Sequence, residues 1–342
     1  MFFSSVFHPF SLLILLLFHQ NNCTNITFIP QPIKITVADL PQPYASSSVS
    51  KVSRIISVPT DPQFYVPDGF IVKLYMSELV APRYLIYTPT DDILVSESSA
   101  NRISCLIDND HDGYPDQRLT FADASNGLNY PFAFHPITND LYVTCQERDE
   151  LGDDLVPDYF TRIQEHGFYG WPFAYMSSNL TDPRRRLSNG TSERPDLVSL
   201  TQTPDILFQA HSAVLDMRFY TGNQFPSRYK NGAFAAFHGS WNRNNGTGYK
   251  IVFIPFNSNT YRPIGYYEDF VYGFLTNPSG PDTFGRPVGI LVMKDGSLLF
   301  SDDGNNRLYQ IQYNRISNNC PNIDVTCQTY YFSFILFSLI LS

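Results

Sequence analysis

Apolar residues recur at every second position in several short runs of this chain. Phe70, Val72 and Leu74 form one such run, as expected for a half-buried strand. Helical periodicity is weak, and residues 158–165 are the one segment where it favours a short helix. The pattern therefore predicts an all-β domain over residues 63–315.

An internal repeat indicates how the strands are arranged. The same spacing separates Pro82 from Arg102 and Pro287 from Arg307, and each copy contains an acidic turn followed by an apolar run. Each copy predicts strand, tight turn, strand, turn and strand, which is the pattern of a propeller blade. Weaker signals for a first strand occur near Pro131 and Ser212. We predict a β-propeller of about four to five four-stranded blades.

We also expect the early strand around Phe70 to complete the last blade. It would then pair with the strands that follow Pro287, closing the ring and removing its exposed edges.

Residues 147–158 form an acidic stretch, which is closed by Gly167-Phe-Tyr-Gly-Trp-Pro172. It holds one cation, Arg148, and six carboxylates: Glu147, Asp149, Glu150, Asp153, Asp154 and Asp158. Such a charge density must be solvated, paired or bound to a hard cation. Ca²⁺ prefers oxygen-rich loops, so Asp149, Glu150, Asp153 and Asp154 are candidate ligands. The alternative is a solvated acidic loop.

The run ERDELGDDLVPDYFTRIQEHGFYGWPFAY, residues 147–175, resembles the soluble quinoprotein sugar dehydrogenases. This glucose/sorbosone dehydrogenase family uses pyrroloquinoline quinone (PQQ). The resemblance implies a propeller, with six blades in the family, that holds Ca²⁺ and the quinone at one end of its channel. It further implies that Ca²⁺ takes backbone carbonyls from the acidic stretch. The implied activity is oxidation of a hydroxyl or hemiacetal group of a small sugar.

Three further blocks are similar to this family: His211-Ser-Ala, residues 238–243 and residues 284–289. PQQ carries three carboxylates and needs cations and hydrogen-bond donors. The resemblance therefore assigns His211, Asn242, Arg243 and Arg286 to cofactor binding. The alternatives are ion pairs with the acidic stretch for the arginines and structural roles for His211 and His238.

The family has two more blades between the positions of Tyr130 and the acidic stretch, and they carry its catalytic base. Nothing in this chain matches those blades, so no catalytic residue is assigned, and both an active dehydrogenase and an inactive relative stay open. The alternative function is a non-enzymatic cell-surface binding propeller, and a third is a lactonase-like hydrolase.

A second acidic motif lies at residues 108–116. Asp108, Asp110 and Asp112 are spaced by two residues, Gly113 allows a sharp turn, and Asp116 occupies the ninth position. The bidentate Glu of an EF-hand is absent. The motif predicts a structural Ca²⁺ turn between strands, with a solvated turn as the alternative.

The termini and the sequons predict export. Residues 1–20 contain a signal-peptide core, residues 21–62 read as an irregular linker, and the apolar tail at 316–342 fits a GPI-attachment signal. Sequons begin at Asn22, Asn25, Asn179, Asn189 and Asn245. We expect a glycosylated protein, secreted or held on the outer face of the plasma membrane by a lipid anchor. The net charge of −9 argues against nucleic acid as a partner.

Overall fold

The computed structural model describes residues 23–122, 140 and 142–314. The strands before the acidic stretch are β1 (Thr24–Phe28), β2 (Arg54–Ile55), β3 (Gln63–Pro67), β4 (Phe70–Met76), β5 (Pro82–Tyr87), β6 (Ile93–Glu97), β7 (Arg102–Ile107), β8 (Gln117–Ala122) and β9 (Tyr142–Cys145). The next are β10 (Tyr159–Arg162), β11 (Ala174–Tyr175), β12 (Ser177–Thr181) and β13 (Ile206–Leu207).

The remaining strands are β14 (Val214–Phe219), β15 (Ala233–Phe237), β16 (Lys250–Ile254), β17 (Glu268–Val271), β18 (Leu275–Asn277), β19 (Asp282–Thr283), β20 (Pro287–Val292), β21 (Leu298–Asp302) and β22 (Arg307–Tyr313). Helix α1 (Pro195–Ser199) is a single short turn, and 3-10 turns occur at Val37–Asp39, Ser98–Ala100, Pro183–Arg185 and Ser227–Tyr229. No helix in the parts described is long and apolar enough to cross a membrane.

Four-stranded antiparallel sheets form the blades. The strand orders are β5-β6-β7-β8, β14-β15-β16-β17 and β20-β21-β22-β4, and a three-stranded sheet has the order β13-β10-β9. The first strands of neighbouring blades meet, because β20 contacts both β14 and β5. Gly289 allows this approach, since a Cβ there would collide with the backbone oxygen of Arg83 on β5. The predicted all-β propeller is confirmed.

The N-terminal and C-terminal parts of the domain close one blade together. Strand β4 pairs antiparallel with β22, which places Phe70 opposite Tyr313 and Leu74 opposite Tyr309. Phe70 is buried against Phe225 and Phe270. The predicted pairing of this early strand with the strands after Pro287 is therefore confirmed.

Aromatic side chains fill the space between sheets. The ring of Phe64 lies 5.0 Å from that of Phe274, 5.9 Å from that of Phe284 and 5.3 Å from that of Tyr309. Such edge-to-face pairs contribute about 0.5–1.5 kcal/mol beyond the burial of their area. The abundance of Phe and Tyr in the sequence thus serves the inter-blade core.

The structure corrects one expectation from periodicity. Residues 159–162 form strand β10 between β9 and β13, whereas a short helix was favoured there. Tyr159 and Phe160 are both buried, so pairing within the sheet outweighs the helical spacing. The first-strand signal near Pro131, the signal peptide and the C-terminal tail lie outside the described residues.

Candidate functional site

The predicted cofactor-binding residues and the acidic stretch lie at one end of the propeller. Each blade begins its first strand and ends its second strand at this end, as the pairings Pro82 with Glu97, Val214 with Phe237 and Pro287 with Asp302 show. The acidic stretch follows β9, which contacts β14 and leads into β10. The blocks that contain His238 and Arg286 lie at this same end.

His211 binds the acidic stretch through both ring nitrogens. Nδ1 lies 3.0 Å from Asp149 Oδ1, and Nε2 lies 2.9 Å from the carbonyl oxygen of Gly152. Because a carbonyl only accepts, Nε2 carries a proton. Burial opposes protonation of the ring, but the bonds to Asp149 and Gly152 raise the pKa of His211 overall. His211 therefore acts as a donor to this loop.

Asn242 and Arg243 bind the same loop from the block after β15. Asn242 Oδ1 accepts a hydrogen bond from the backbone N–H of Glu150 at 2.8 Å. Arg243 Nη1 lies 2.8 Å from Asp154 Oδ1 and also donates to the carbonyl of Asp153. The structure thus brings His211, Asn242 and Arg243 together on the predicted metal residues Asp149, Glu150, Asp153 and Asp154.

Arg148 is buried at the base of the acidic stretch. Its guanidinium bonds Glu147 at 3.0 Å and Asp182 at 2.8 Å, and it lies 4.8 Å from the ring centre of Trp171. Arg184 donates to the carbonyl of Asp149 at 3.1 Å. Part of the charge of the acidic stretch is therefore compensated within the protein.

Asp158 connects the acidic stretch to the segment that carries His211. Its two oxygens accept hydrogen bonds from the backbone N–H groups of Glu147 at 3.0 Å and Ala213 at 2.6 Å. Burial raises the pKa of Asp158 to about 7, although these two hydrogen bonds oppose the rise. The sequence pattern identified Asp158 only as one of six carboxylates, and it did not predict that Asp158 would join these two segments.

The segment predicted to be an irregular linker also contacts the site. The backbone N–H of Tyr44 donates to Leu151, and Ser46 Oγ accepts from the backbone N–H of Asp153 at 2.7 Å. Val49 accepts from Asn242 Nδ2, also at 2.7 Å. Residues 44–49 thus pack on the acidic stretch, which composition alone did not anticipate.

A cleft of about 510 Å³ opens beside the acidic stretch. Asp149, Glu150, Arg184, Trp171 and Trp241 are among the residues that line it. Trp171 is 61% exposed and Trp241 is 42% exposed. These are the two tryptophans of the whole chain, so the cleft combines two exposed aromatic side chains with charged groups of both signs.

Arg286 belongs to a neighbouring polar cluster. Its Nε donates to the carbonyl of His238 at 3.3 Å, and burial lowers the pKa of the guanidinium. His238 Nε2 lies 2.8 Å from Asp303 Oδ1, and Arg83 lies 2.6 Å from the other oxygen of Asp303. Arg286 therefore belongs to the cluster around His238 and Asp303.

The second acidic motif forms the turn between β7 and β8, at the opposite end of the blade. Carboxylate oxygens of Asp108, Asp110 and Asp116 lie within 4.8 Å of one another. Asp112 lies outside this group, and its Oδ1 accepts from the backbone N–H of Tyr114 at 2.8 Å. Asp116, at the ninth position, thus takes the place expected for Asp112.

Residues 169–314 match the family model described as TrAA12-like. The resemblance to the soluble PQQ-dependent sugar dehydrogenases is confirmed. The matched segment includes Trp171, His211, Trp241, Arg243 and Arg286.

Two curated relatives match part of the chain. An uncharacterized protein of Borreliella burgdorferi is 38% identical over 189 residues, which cover 54% of this chain and 46% of that protein. The pyrroloquinoline quinone-dependent pyranose dehydrogenase of Coprinopsis cinerea is 30% identical over 123 residues, which cover 32% of this chain and 16% of that enzyme. The chain therefore spans less than half the length of these relatives.

Solved structures agree on the fold. The holo PQQ domain of pyranose dehydrogenase from Coprinopsis cinerea superposes with a TM-score of 0.51 at 15% identity, covering 73% of this chain and 97% of that domain. The iodide structure of a Trichoderma reesei carbohydrate-active enzyme of family AA12 has a TM-score of 0.54 at 16% identity, covering 80% of this chain and 98% of that one. Likeness at these identities supports the propeller fold alone.

The raised pKa of Asp158 predicts how the free energy of unfolding depends on pH. An Asp in an unfolded chain titrates near about 3.9, so the raised folded-state pKa means that the folded state holds this proton more tightly. The free energy of unfolding should therefore fall as the pH rises from about 4 to about 7. Asp158→Asn should flatten this part of the curve, as measured by denaturant unfolding across the pH range.

Other buried carboxylates and a control variant help to interpret the Asp158→Asn result. Asp216 and Asp302, whose pKa values burial raises to about 6 and about 7, remain in the variant and leave a residual slope of the same sign. Glu165→Gln alters an exposed carboxylate and should keep the wild-type slope. An unchanged slope in Asp158→Asn would contradict the role of this proton.

Proposed function

We propose that this chain binds PQQ and Ca²⁺ beside the acidic stretch and acts as an oxidoreductase on a hydroxyl or hemiacetal group of a small sugar. The observation that carries the proposal is the convergence of His211, Asn242 and Arg243 on that stretch. These residues come from separate blocks of sequence that were assigned to cofactor binding. The curated relative named as a PQQ-dependent pyranose dehydrogenase supports the same chemistry.

The residues present fit the cofactor. PQQ is a flat aromatic quinone with three carboxylates, and the cleft offers the exposed side chains of Trp171, which Arg148 covers on one face, and Trp241. Arg184 and Arg185 line the same cleft, where Arg184 pairs with Asp182 at 3.0 Å and Arg185 with Glu193 at 3.9 Å. A guanidinium has five N–H donors, so each can also donate to a ligand carboxylate. Arg243, next to the acidic stretch, already pairs with a carboxylate of the protein. The cleft therefore contains arginine side chains beside its carboxylates, and these could bind an anionic ligand.

The acidic stretch also fits Ca²⁺. The carbonyls of Asp149 and Glu150 are the proposed ligands, supported by the carboxylates of Asp153 and Asp154. Arg184 uses one lone pair of the Asp149 carbonyl, and a carbonyl oxygen has two. The carboxylates of Asp108, Asp110 and Asp116 would hold a separate structural Ca²⁺ at the other end of the propeller.

PQQ, when bound, supplies the acceptor for a hydride from the sugar. The chain must hold the substrate and accept the hydroxyl proton. His238 has the chemistry for that second task, because burial lowers its pKa and keeps the imidazole neutral near pH 7. Asp303 binds Nε2, and Arg83 fixes Asp303 from its other side. If Nε2 donates to Asp303, Nδ1 carries the lone pair that accepts the proton.

The second candidate function is a cell-surface binding propeller without turnover. It is favoured by the absence of any match to the family blades that carry the base, and by exposed sequon residues. Asn179, Asn189 and Asn245 are all exposed in the structure. Export, glycosylation and attachment through a C-terminal lipid anchor are part of both proposals.

Cofactor binding can be read directly from tryptophan fluorescence. Both tryptophans of the chain line the cleft, so PQQ should quench the emission saturably in the presence of Ca²⁺. Single variants Trp171→Phe and Trp241→Phe should each retain part of the quenching. Arg184→Met should weaken binding by about tenfold or more, since hydrogen bonds to charged groups contribute about 1.5–3 kcal/mol.

Arg228→Met is the matched control for Arg184→Met. Arg228, in the connection between β14 and β15, pairs with Glu268 at the opposite end of the blade and does not line the cleft, so its loss should leave the titration unchanged. Emission that stays constant at saturating PQQ would contradict the proposed site.

Turnover tests the role of His238. His238→Gln should abolish dye-coupled oxidation of aldoses by the PQQ-loaded protein while leaving the fluorescence titration unchanged, because the proton acceptor is lost and the cleft is not. A variant that oxidises sugar at the wild-type rate would exclude His238 as the base. Wild-type binding without turnover would instead favour the binding propeller.

Calcium should stabilise the fold. A ligand that binds only the folded state at a hundredfold excess over its Kd contributes about 2.7 kcal/mol, so EGTA should lower the Tm. Asp110→Ala should remove only the part of the Ca²⁺-dependent rise in Tm that comes from the turn at 108–116. Asp153→Ala combined with Asp154→Ala should remove the part that comes from the acidic stretch. A Tm that EGTA does not change in the wild type would overturn both calcium sites.

A further inference from the structure

A second cleft, of about 440 Å³, lies at the end of the propeller opposite the acidic stretch. Three turns line it: residues 90–92 between β5 and β6, residues 108–115 between β7 and β8, and residues 293–295 between β20 and β21. The proposed cofactor site lies at the C-terminal ends of β6 and β21, whereas these turns lie at the opposite end of the blades. This cleft is therefore separate from the proposed cofactor site.

The cleft is strongly acidic. Its lining contains five carboxylates from the three turns: Asp91, Asp92, Asp108, Asp112 and Asp295. Lys294 is the one Lys or Arg among the described residues that line it. After burial, the largest causes that raise the pKa of the Tyr87 phenol are the charges of Asp295 and Asp91. An anionic ligand is therefore excluded on electrostatic grounds.

The protein places an ammonium group of its own in this cleft. Lys294 Nζ pairs with Asp91 and lies 5.7 Å from the ring centre of Tyr87. A carboxylate beside an aromatic face is an arrangement that recognises ammonium cations. The side chain of Lys294 is 56% exposed, so it can move aside for a ligand with the same head group.

A buried acceptor in the lining lacks a donor. Gln310 is 2% exposed, and its Nε2 donates to Ser297 Oγ at 2.9 Å. Its Oε1 has no hydrogen-bond partner within the part of the chain that the structure describes. A buried acceptor without a donor is costly, and a ligand with N–H groups would satisfy it.

Apolar side chains complete the lining. Ile93, Leu106 and Met293 lie among the acidic turns, together with the rings of Tyr75 and Tyr87. A ligand that matches this surface has cationic N–H groups joined by methylene segments. We propose that the cleft binds an aliphatic polyamine, with one ammonium group replacing Lys294 beside Asp91 and another donating to Gln310.

Isothermal titration with spermidine and putrescine, in EGTA, tests this proposal on the full chain. Gln310→Met should weaken spermidine binding by about fivefold or more, because it removes the acceptor and keeps the side-chain volume. The same variant should fold with a Tm close to that of the wild type, since it also removes a buried unsatisfied atom. Asp92→Asn, outside the calcium group, should weaken binding as well.

Lys294→Met should act in the opposite direction and tighten spermidine binding, because it removes the competing ammonium group. Lys250→Met is its matched control. Lys250 does not line the cleft and pairs with Asp269 at an Nζ–Oδ1 distance of 2.6 Å, and its loss changes the net charge equally. Tightening that is equal in both variants would mean non-specific attraction and would overturn the proposal. So would the absence of spermidine binding at millimolar concentration, or a cleft that responds to CaCl₂ alone.

Discussion

The placement of the acidic stretch depends on how its charge is neutralised. Carboxylates as dense as those of residues 147–158 cannot pack on a protein surface unless cations and donors meet them. Arg148 and Arg243 supply permanent positive charge, His211 supplies two ring nitrogens, and Asp158 is held by backbone N–H groups. His211 and Arg243 come from parts of the sequence far from the acidic stretch, so the site forms only when the propeller has formed.

The propeller brings those partners together by its topology. Loops that follow the second strand of each blade all reach the same end, where the first strands also begin. The acidic stretch, His238, Arg243 and Arg286 therefore become neighbours although they are distant in sequence. The turns between first and second strands gather at the other end, where, among the described residues, five carboxylates and a single lysine, Lys294, line a different cleft.

Much of this arrangement was accessible from the sequence. Period-two runs and the repeated spacing from Pro82 to Arg102 predicted the blades, because strand periodicity and turn residues are local properties. The convergence of His211, Asn242 and Arg243 followed from the family resemblance. Arg148 could be noted as the lone cation of its stretch, but its partner Asp182 lies 34 residues away and carries no local signal.

Other features could not be read because they depend on tertiary packing. The helical spacing at residues 158–165 gave way to sheet pairing once Tyr159 and Phe160 were buried between β9 and β13. A Pro-rich and Ser-rich composition suggested a linker, whereas Ser46 and Val49 bind the acidic stretch and Asn242. Asp116, and not the predicted Asp112, joins Asp108 and Asp110 in the carboxylate cluster, because the turn brings position 116 back beside them.

A crystal structure of the chain grown with PQQ and Ca²⁺ would locate both proposed ligands. We expect density for the quinone in the cleft between Trp171 and Trp241, with a calcium ion on the carbonyls of Asp149 and Glu150. Cofactor density elsewhere on the molecule, or a cleft left empty at PQQ concentrations that saturate the protein in solution, would contradict the proposed site.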